Sequence, residues 1–219
     1  MRVLAIDTAT EVLALCVEDG GSRASLALRR GLQHSPSLLP LADRLLGELG
    51  FGARDLDLVV CSVGPGSFTG IRIGLATAKG IAFATGCPLV GVSTLEALAL
   101  PWAFFDGEVW PIIDARKGNW YTARFQAGLR TTGYLDLAPG DLGARLGAAP
   151  GRILLVGPDA SKIASVIPGA VVSELFDPAA VLLAGMARYA AEGAPPASLS
   201  PLYLRQSEAE IAAGRHDGR

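Results

Sequence analysis

The chain has 219 residues, of which 50% are hydrophobic and 18% charged, and its mean hydropathy is +0.38. Disordered chains are polar and highly charged, so this composition excludes disorder as the main state. The net charge is −2 and no basic run is longer than two residues, as at Arg29-Arg30, which excludes a basic face able to bind nucleic acid without a partner.

The N-terminal half alternates predicted strands and helices, as α/β proteins do. Leucines at spacings of three and four predict the first helix, with Ser35 or Ser37 as its N-cap and Gly50 after its end. Pro40 fits only near the first turn of that helix. The predicted elements are strands over 2–7, 12–18 and 23–30, a helix over 36–49, a strand over 56–63, a helix from about 68 to 85, a strand over 88–92 and a short helix over 94–100.

The C-terminal half repeats two features of the first half in the same order. An apolar strand that closes on Asp114 matches the one that closes on Asp7, and each is followed by a return strand. A Val-Gly-Pro turn that opens a predicted helix over 159–166 matches the turn at 63–65. These matches predict a degenerate duplication, with lobes over 1–100 and 101–206 and a disordered polar tail over 207–219. Asp177 and Pro178 predict the start of a last helix that runs to about Glu192.

The most distinctive local motif is the glycine turn at 64–70, Gly-Pro-Gly-Ser-Phe-Thr-Gly. Glycines between a strand and a helix allow a ligand to approach the backbone, and the free N–H groups of a helix N-terminus attract anions. Together with Asp7 and Thr10 of the first hairpin, Gly64 and Gly66 are therefore candidate nucleotide-binding residues. The glycines are equally explained by a tight turn and a close helix contact, and Asp and Thr are common turn residues.

Small residues recur every four positions in the helix that follows, at Gly70, Gly74, Ala78 and Ala82. Glycine costs ~1 kcal/mol against alanine inside a helix, so close packing should offset it. The stripe packs either on the protein's own sheet or on a partner, and the broad apolar surface of the leucine-rich helix favours a partner. The predicted interface is Leu38, Leu41, Leu45, Gly70, Ile71, Gly74, Leu75 and Ala78.

The residues of several common catalytic sites are missing. The chain has two histidines, His34 and His216, and they belong to no spaced pair or credible serine triad. Its three cysteines are far apart, which predicts reduced thiols in a cytoplasmic protein without a thiolate metal site. No uncharged apolar run reaches the ~18 residues of a spanning helix, and Asp7 stands too early for a signal peptide.

Seven blocks of the chain resemble the bacterial TsaB (YeaZ) family. The blocks extend over nearly the whole chain, and the glycine turn is the most specific of them. They lie at 6–10, 34–35, 38–40, 64–74, 91–97, 113–116 and 203–205.

This resemblance implies an ASKHA (actin-like ATPase) fold and a role in making threonylcarbamoyladenosine beside the tRNA anticodon. In that family TsaB is the non-catalytic partner of TsaD, which transfers the threonylcarbamoyl group from its adenylate, and the ATPase TsaE joins the complex. TsaD carries a metal-binding His-x-x-x-His after Val-Asn, where this chain has Thr94 and Leu98. Neither side chain replaces imidazole as a ligand.

The resemblance therefore implies a pseudo-enzyme scaffold with no catalytic residue, metal or cofactor of its own. Its two N-lobe helices would bind TsaD, or form a homodimer when TsaD is absent, and a nucleotide at the TsaD interface is left open. The protein by itself is not expected to bind tRNA. The alternative is an active ASKHA ATPase or phosphotransferase, against which Asp159 in the second glycine turn would repel phosphate.

Overall fold

The computed structural model describes residues 1–29, 35–148, 151–193 and 199–205, so Arg30, His34, His216 and the tail over 207–219 lie outside it. The elements of the first half are β1 (Arg2–Asp7), β2 (Val12–Asp19), β3 (Ser22–Arg29), α1 (Ser35–Glu48), β4 (Leu58–Gly64), α2 (Phe68–Thr85), β5 (Leu89–Ser93) and α3 (Thr94–Ala99). Those of the second half are β6 (Glu108–Pro111), β7 (Ile113–Asp114), β8 (Trp120–Thr122), β9 (Phe125–Gln126), β10 (Leu129–Arg130), β11 (Leu135–Leu137), α4 (Pro139–Gly147), β12 (Ile153–Val156), β13 (Val171–Ser173) and α5 (Pro178–Glu192).

The first sheet has the strand order β3-β2-β1-β4-β5. Strand β1 pairs antiparallel with β2 and parallel with β4, and β4 pairs parallel with β5. Every residue of β4 is buried, which explains why its sequence is a nearly continuous apolar run and not an alternating one. The predicted hairpin and the strands that follow it are confirmed.

The second sheet repeats this order as β10-β9-β6-β12-β13. Strand β6 pairs antiparallel with β9 and parallel with β12, as β1 does with β2 and β4. Strands β7, β8 and β11 form a smaller sheet in the order β11-β8-β7. Along the chain β7 follows β6 and β8 precedes β9, so the β7–β8 pair continues the hairpin that β6 forms with β9. The duplication and the two-lobed α/β ASKHA fold predicted from the sequence are confirmed.

Helices cover both faces of the first sheet. On one face, α1 and α2 bury Leu38 and Leu75 against β1, β2 and β4. On the other face, α5 buries Ala179, Val181 and Leu182 against residues of β1, β4 and β5. Asp177 caps α5, since its Oδ1 accepts the Ala179 N–H at 2.9 Å, and the predicted bounds of this helix are correct.

The packing of α5 departs from the division into lobes at residue 100. The helix lies within the span 101–206 that the sequence assigns to the second lobe, yet it contacts all five strands of the first sheet. Gly185 allows this approach, because a Cβ there would lie 2.3 Å from Cγ1 of Val60. The last helix that the structure describes therefore returns to complete the first lobe.

The helix predicted over 159–166 differs in type from its counterpart in the first lobe. Residues Ala160–Val166 form a 3-10 helix, whereas α2 is an α-helix of 18 residues. Ala160 and Ile163 of this short helix lie in the same core as Leu142 and Leu146 of α4. None of the helices that the structure describes is both long and apolar enough to cross a membrane.

Candidate functional site

A cleft of about 500 Å³ lies between the two lobes. Its walls come from the first hairpin turn, the glycine turn, the equivalent hairpin turn of the second lobe and the segment over 202–205. Of the four candidate nucleotide-binding residues, Thr10 and Gly66 line this cleft and Asp7 and Gly64 do not. Asp114 and Asp159 of the second lobe also line it. The duplication thus brings the two hairpin turns together. The wall formed by residues 202–205 was not predicted from the sequence.

The protein's own backbone fills the space that the glycine turn opens. A Cβ on Gly66 would lie 2.1 Å from the carbonyl oxygen of Ala9, and the Ser67 N–H donates to that same oxygen at 2.7 Å. A Cβ on Gly64 would lie 2.8 Å from the carbonyl oxygen of Leu202. The lack of a side chain at these glycines thus serves internal packing, which supports the tight-turn explanation, and nucleotide binding at Gly64 and Gly66 stays a prediction.

Asp7 and Thr10 shape the first hairpin turn. The side chain of Asp7 accepts the Ala9 N–H at 2.8 Å, and that of Thr10 accepts the Val12 N–H at 3.2 Å. Both residues are buried, and Asp7 is not part of the cleft wall. Their hydrogen bonds are those of ordinary Asx and hydroxyl turns, in which a side chain accepts from a backbone N–H two residues later.

The polar side of the cleft is rich in carboxylates. Asp159 is buried, and its Oδ2 accepts the backbone N–H of Asp114 at 2.9 Å. Lys162 lies 2.6 Å from the other oxygen of Asp159, and this hydrogen bond is the main reason that the pKa of Lys162 is raised. Arg116 extends from the second hairpin turn to Glu11 of the first, at 3.2 Å.

The carboxylates of the cleft disfavour a nucleotide polyphosphate. The carboxylates of Asp159 and Asp114 already engage Lys162, and their negative charge opposes an anion. The second glycine turn is also filled, since a Cβ on Gly157 would lie 3.1 Å from the carbonyl oxygen of Ile112. Both glycine turns therefore serve the packing of each lobe.

The small-residue stripe of α2 faces the protein's own sheet. A Cβ on Gly70 would lie 2.1 Å from the carbonyl oxygen of Thr8, and one on Gly74 would lie 2.3 Å from the Thr8 hydroxyl. Ala78 is completely buried in the core. The predicted partner interface is corrected for its members that are buried in the protein's own core, which are Leu38, Gly70, Ile71, Gly74, Leu75 and Ala78.

Other residues of the same two helices are exposed. Phe83 of α2 is 92% exposed and Leu39 of α1 is 57% exposed, while Leu41 and Leu45 are half-buried. Phe83 and Leu39 are not among the interface residues predicted from the sequence. The sequence could have indicated them, because both are large apolar residues that lie off the buried face of their helix.

Thr94 and Leu98 of α3, which stand where TsaD carries its two histidines, belong to the core. Thr94 is completely buried and Leu98 is 6% exposed. The nearest neighbours of the Leu98 side chain include Gly157 of the second lobe, so α3 packs between the lobes. Within the described ranges, no three His, Cys, Asp or Glu side chains cluster so that they could hold a metal ion.

The family model described as "TsaD: tRNA N6-adenosine threonylcarbamoyltransferase" matches residues 29–164 of the 219. The chain belongs to this family. It is 39% identical over 128 residues to the tRNA threonylcarbamoyladenosine biosynthesis protein TsaB of Bacillus subtilis, a match that covers 58% of this chain and 56% of that protein. The match with this curated TsaB relative thus spans about half of the relative's length.

Two further relatives match over nearly the whole chain. An uncharacterised protein of Mycobacterium tuberculosis is 32% identical over 219 residues, covering 95% of this chain and 93% of that protein. The structure of YeaZ from Pseudomonas aeruginosa superposes with a TM-score of 0.78 at 26% identity, covering 93% of this chain and 99% of that one. Within the TsaD family, these matches and the TsaB match identify the TsaB (YeaZ) type.

Proposed function

We propose that this member of the TsaD family acts in the biosynthesis of threonylcarbamoyladenosine in tRNA. The observation that carries this proposal is the 39% identity to proteins named for that pathway, TsaB of Bacillus subtilis and of Escherichia coli. The agreement in fold with YeaZ over 99% of its chain supports it. We place the protein in the cytoplasm, where its free cysteines stay reduced.

Within this pathway the protein is a non-catalytic subunit. At both glycine turns a Cβ would meet the protein's own backbone, at Ala9 and at Ile112, so internal packing accounts for these glycines without a ligand. Thr94 and Leu98 are buried where the resemblance to TsaD places metal-binding histidines. The protein thus retains the ASKHA architecture, while the positions that could hold a ligand or a metal belong to its packed core.

The outward surfaces of α1 and α2 bind TsaD, and TsaE joins the resulting complex. Phe83 supports this assignment, because a fully exposed aromatic side chain on a helix is typical of an anchor that a partner buries. Leu39, with the half-buried Leu41 and Leu45, extends the apolar area on α1. In the absence of TsaD the same surface forms a homodimer, and the chain alone does not bind tRNA.

Reconstitution tests the proposed function directly. TsaD, TsaE, unmodified tRNA and threonylcarbamoyl adenylate are combined with and without this protein, and modified adenosine is measured by mass spectrometry. Modification should require the protein, and the protein with tRNA and adenylate alone should produce none. Full modification without it, or modification by it alone, would reject the proposal.

The alternative function is an ATPase or phosphotransferase that uses the interlobe cleft. Arg116, Lys117 and Arg205 are the cations of the cleft wall that favour it, although Arg116 and Arg205 are already paired with carboxylates. Titration calorimetry of the isolated protein with Mg-ATP separates the two functions. The scaffold predicts no saturable heat, whereas micromolar binding with turnover would establish the alternative.

A further inference from the structure

Residues 199–205 form an extended segment that runs along the interlobe cleft. At its beginning, Leu199 and Leu202 pack against the core of the first lobe. The Leu202 N–H donates to the carbonyl oxygen of Val63, at the end of β4, at 2.7 Å. This end of the segment is therefore fixed to the first sheet by apolar contact and by a short backbone hydrogen bond.

Tyr203 joins the segment to the first turn of α2. Its ring stacks on Phe68 with 4.9 Å between ring centroids, and its hydroxyl accepts the Nε–H of Arg72 at 2.9 Å. The Arg72 guanidinium in turn lies 3.8 Å from the centroid of the Phe68 ring. Stacking and a cation–π contact thus add to the attachment on the first lobe.

The next two residues attach to the second lobe. Leu204 packs in the apolar cluster that includes Tyr121 and Phe125. Arg205 donates from Nε and from a terminal nitrogen to the two oxygens of Asp136, both at 2.9 Å. Such a bidentate arginine–carboxylate pair is stronger and more directional than a single hydrogen bond.

Asp136 also connects Arg205 to the second hairpin turn. Its Oδ1 accepts from the side-chain amide of Asn119 at 2.8 Å, and Arg205 reaches the carbonyl oxygen of Ala115 at 3.5 Å. The turn that carries Arg116 into the cleft is thus held by the same group of side chains. Arg205 and Asp136 are 29% and 18% exposed, so solvent screens their pair only in part.

From these contacts we infer that residues 199–205 are a strap that holds the two lobes in their closed arrangement, with Arg205–Asp136 as the end that releases. Consecutive residues attach to opposite lobes, so the cleft cannot widen unless one attachment breaks. The first-lobe end is apolar and hydrogen-bonded to a strand, whereas the second-lobe end is a polar pair within reach of solvent. Two other ion pairs join the lobes within the described residues, Arg116–Glu11 with side chains 60% and 37% exposed and Arg130–Glu96 with both at 35%. Both are more exposed than Arg205–Asp136, so solvent weakens them more.

This inference does not depend on the proposed function and is tested on the isolated full chain. Spin labels on Ala84→Cys in α2 and Ala144→Cys in α4 report the distance between lobes, because both positions are exposed. The half-buried Cys87 is first changed to Ser, while Cys16 and Cys61 are buried and remain. Pulsed electron paramagnetic resonance then gives the distance distribution.

Arg205→Ala should raise the fraction of molecules with a longer interlobe distance by about tenfold, the effect of losing a hydrogen bond to a charged group. Arg188→Ala is the matched control, since Arg188 pairs with Glu192 and donates to the Gly91 carbonyl within the first lobe alone. It should leave the distribution unchanged. If Arg205→Ala does not fold, Arg205→Lys takes its place, because lysine lacks the bidentate fork.

Two results would overturn the strap. One is an unchanged distribution in the folded Arg205 variant. The other is equal broadening in the Arg205 and Arg188 variants, which would show general loosening of the structure.

Discussion

Gly70 of α2 packs directly on the backbone of Thr8, and the two residues also share a hydrogen bond. The Thr8 hydroxyl donates to the Gly70 carbonyl oxygen at 2.7 Å. A Cβ at position 70 would lie 2.1 Å from the Thr8 carbonyl oxygen, well inside van der Waals contact. The start of α2 is therefore held against the first hairpin turn more closely than any side chain would permit.

Gly70→Ala should destabilise the protein by about 3 kcal/mol, because neither the helix nor the strand can move without disturbing the core. Gly80→Ala in the same helix is the control, since a Cβ there meets nothing within 4 Å. It should stabilise the protein by about 0.5–1 kcal/mol through helix propensity. Urea unfolding measures both changes, and similar effects at the two positions would contradict the packing argument.

The sequence showed the stripe of small residues but not which surface it contacts. Helix α2 is apolar on several sides, with Ile71 and Leu75 in the core and Phe83 in solvent. Periodicity therefore predicts the helix without selecting the buried face. The spacing of Gly70 and Gly74 indicates close approach of a backbone, and only the paired strands show that this backbone belongs to the same chain.

Local signals predicted most of the elements correctly. The capping residue Asp177 with Pro178 gave the start of α5, and the alternation of strands with turns gave both hairpins. The return of α5 to the first sheet was not predictable, because its apolar face fits either lobe equally well in a sequence. The strap was missed for a related reason: the partners of Tyr203 and Arg205 lie 131 and 69 residues away along the chain.

Phe83→Glu should abolish the binding of TsaD and leave the fold intact. The side chain is 92% exposed, so a charge there costs the isolated protein little and places an unpaired carboxylate in the proposed interface. We expect at least a ~100-fold loss of affinity, as for a buried anchor. Surface plasmon resonance against immobilised TsaD measures it, and circular dichroism checks the fold.

Phe104→Glu is the matched control for this prediction. Phe104 is 80% exposed and lies outside α1 and α2, so its variant should bind TsaD like the unmodified chain. Equal losses for the two variants, or none for Phe83→Glu, would remove α2 from the interface.

Stability should fall as the pH rises above about 9. Burial raises the pKa of the Cys16 thiol from 9.0 to about 12, and it also raises the pKa of Cys61. A folded-state pKa above the unfolded value means that the folded chain holds more protons in this range, so rising pH favours unfolding. Cys16 alone should cost about 2 kcal/mol between pH 8.5 and 10.5.

Urea unfolding at several pH values measures this slope. Tyr121 and Tyr134 contribute in the same direction, because burial raises their pKa as well. Cys16→Ala should reduce the slope without removing it. Stability that stays constant to pH 10.5 would show that the thiols ionise as readily in the folded chain as in the unfolded one.

A chain that ends at residue 100 should not fold, although it contains every strand of the first sheet. Without α5 the face of the sheet formed by Val3, Ala5, Leu58 and Val60 would be exposed to water. Apolar surface of this kind leads to aggregation, so the fragment should be insoluble or bind a hydrophobic dye. The fragment over 101–219 carries α5, and co-expression with it should restore solubility. A monomeric fragment over 1–100 that unfolds cooperatively would show instead that the first lobe is complete without its returning helix.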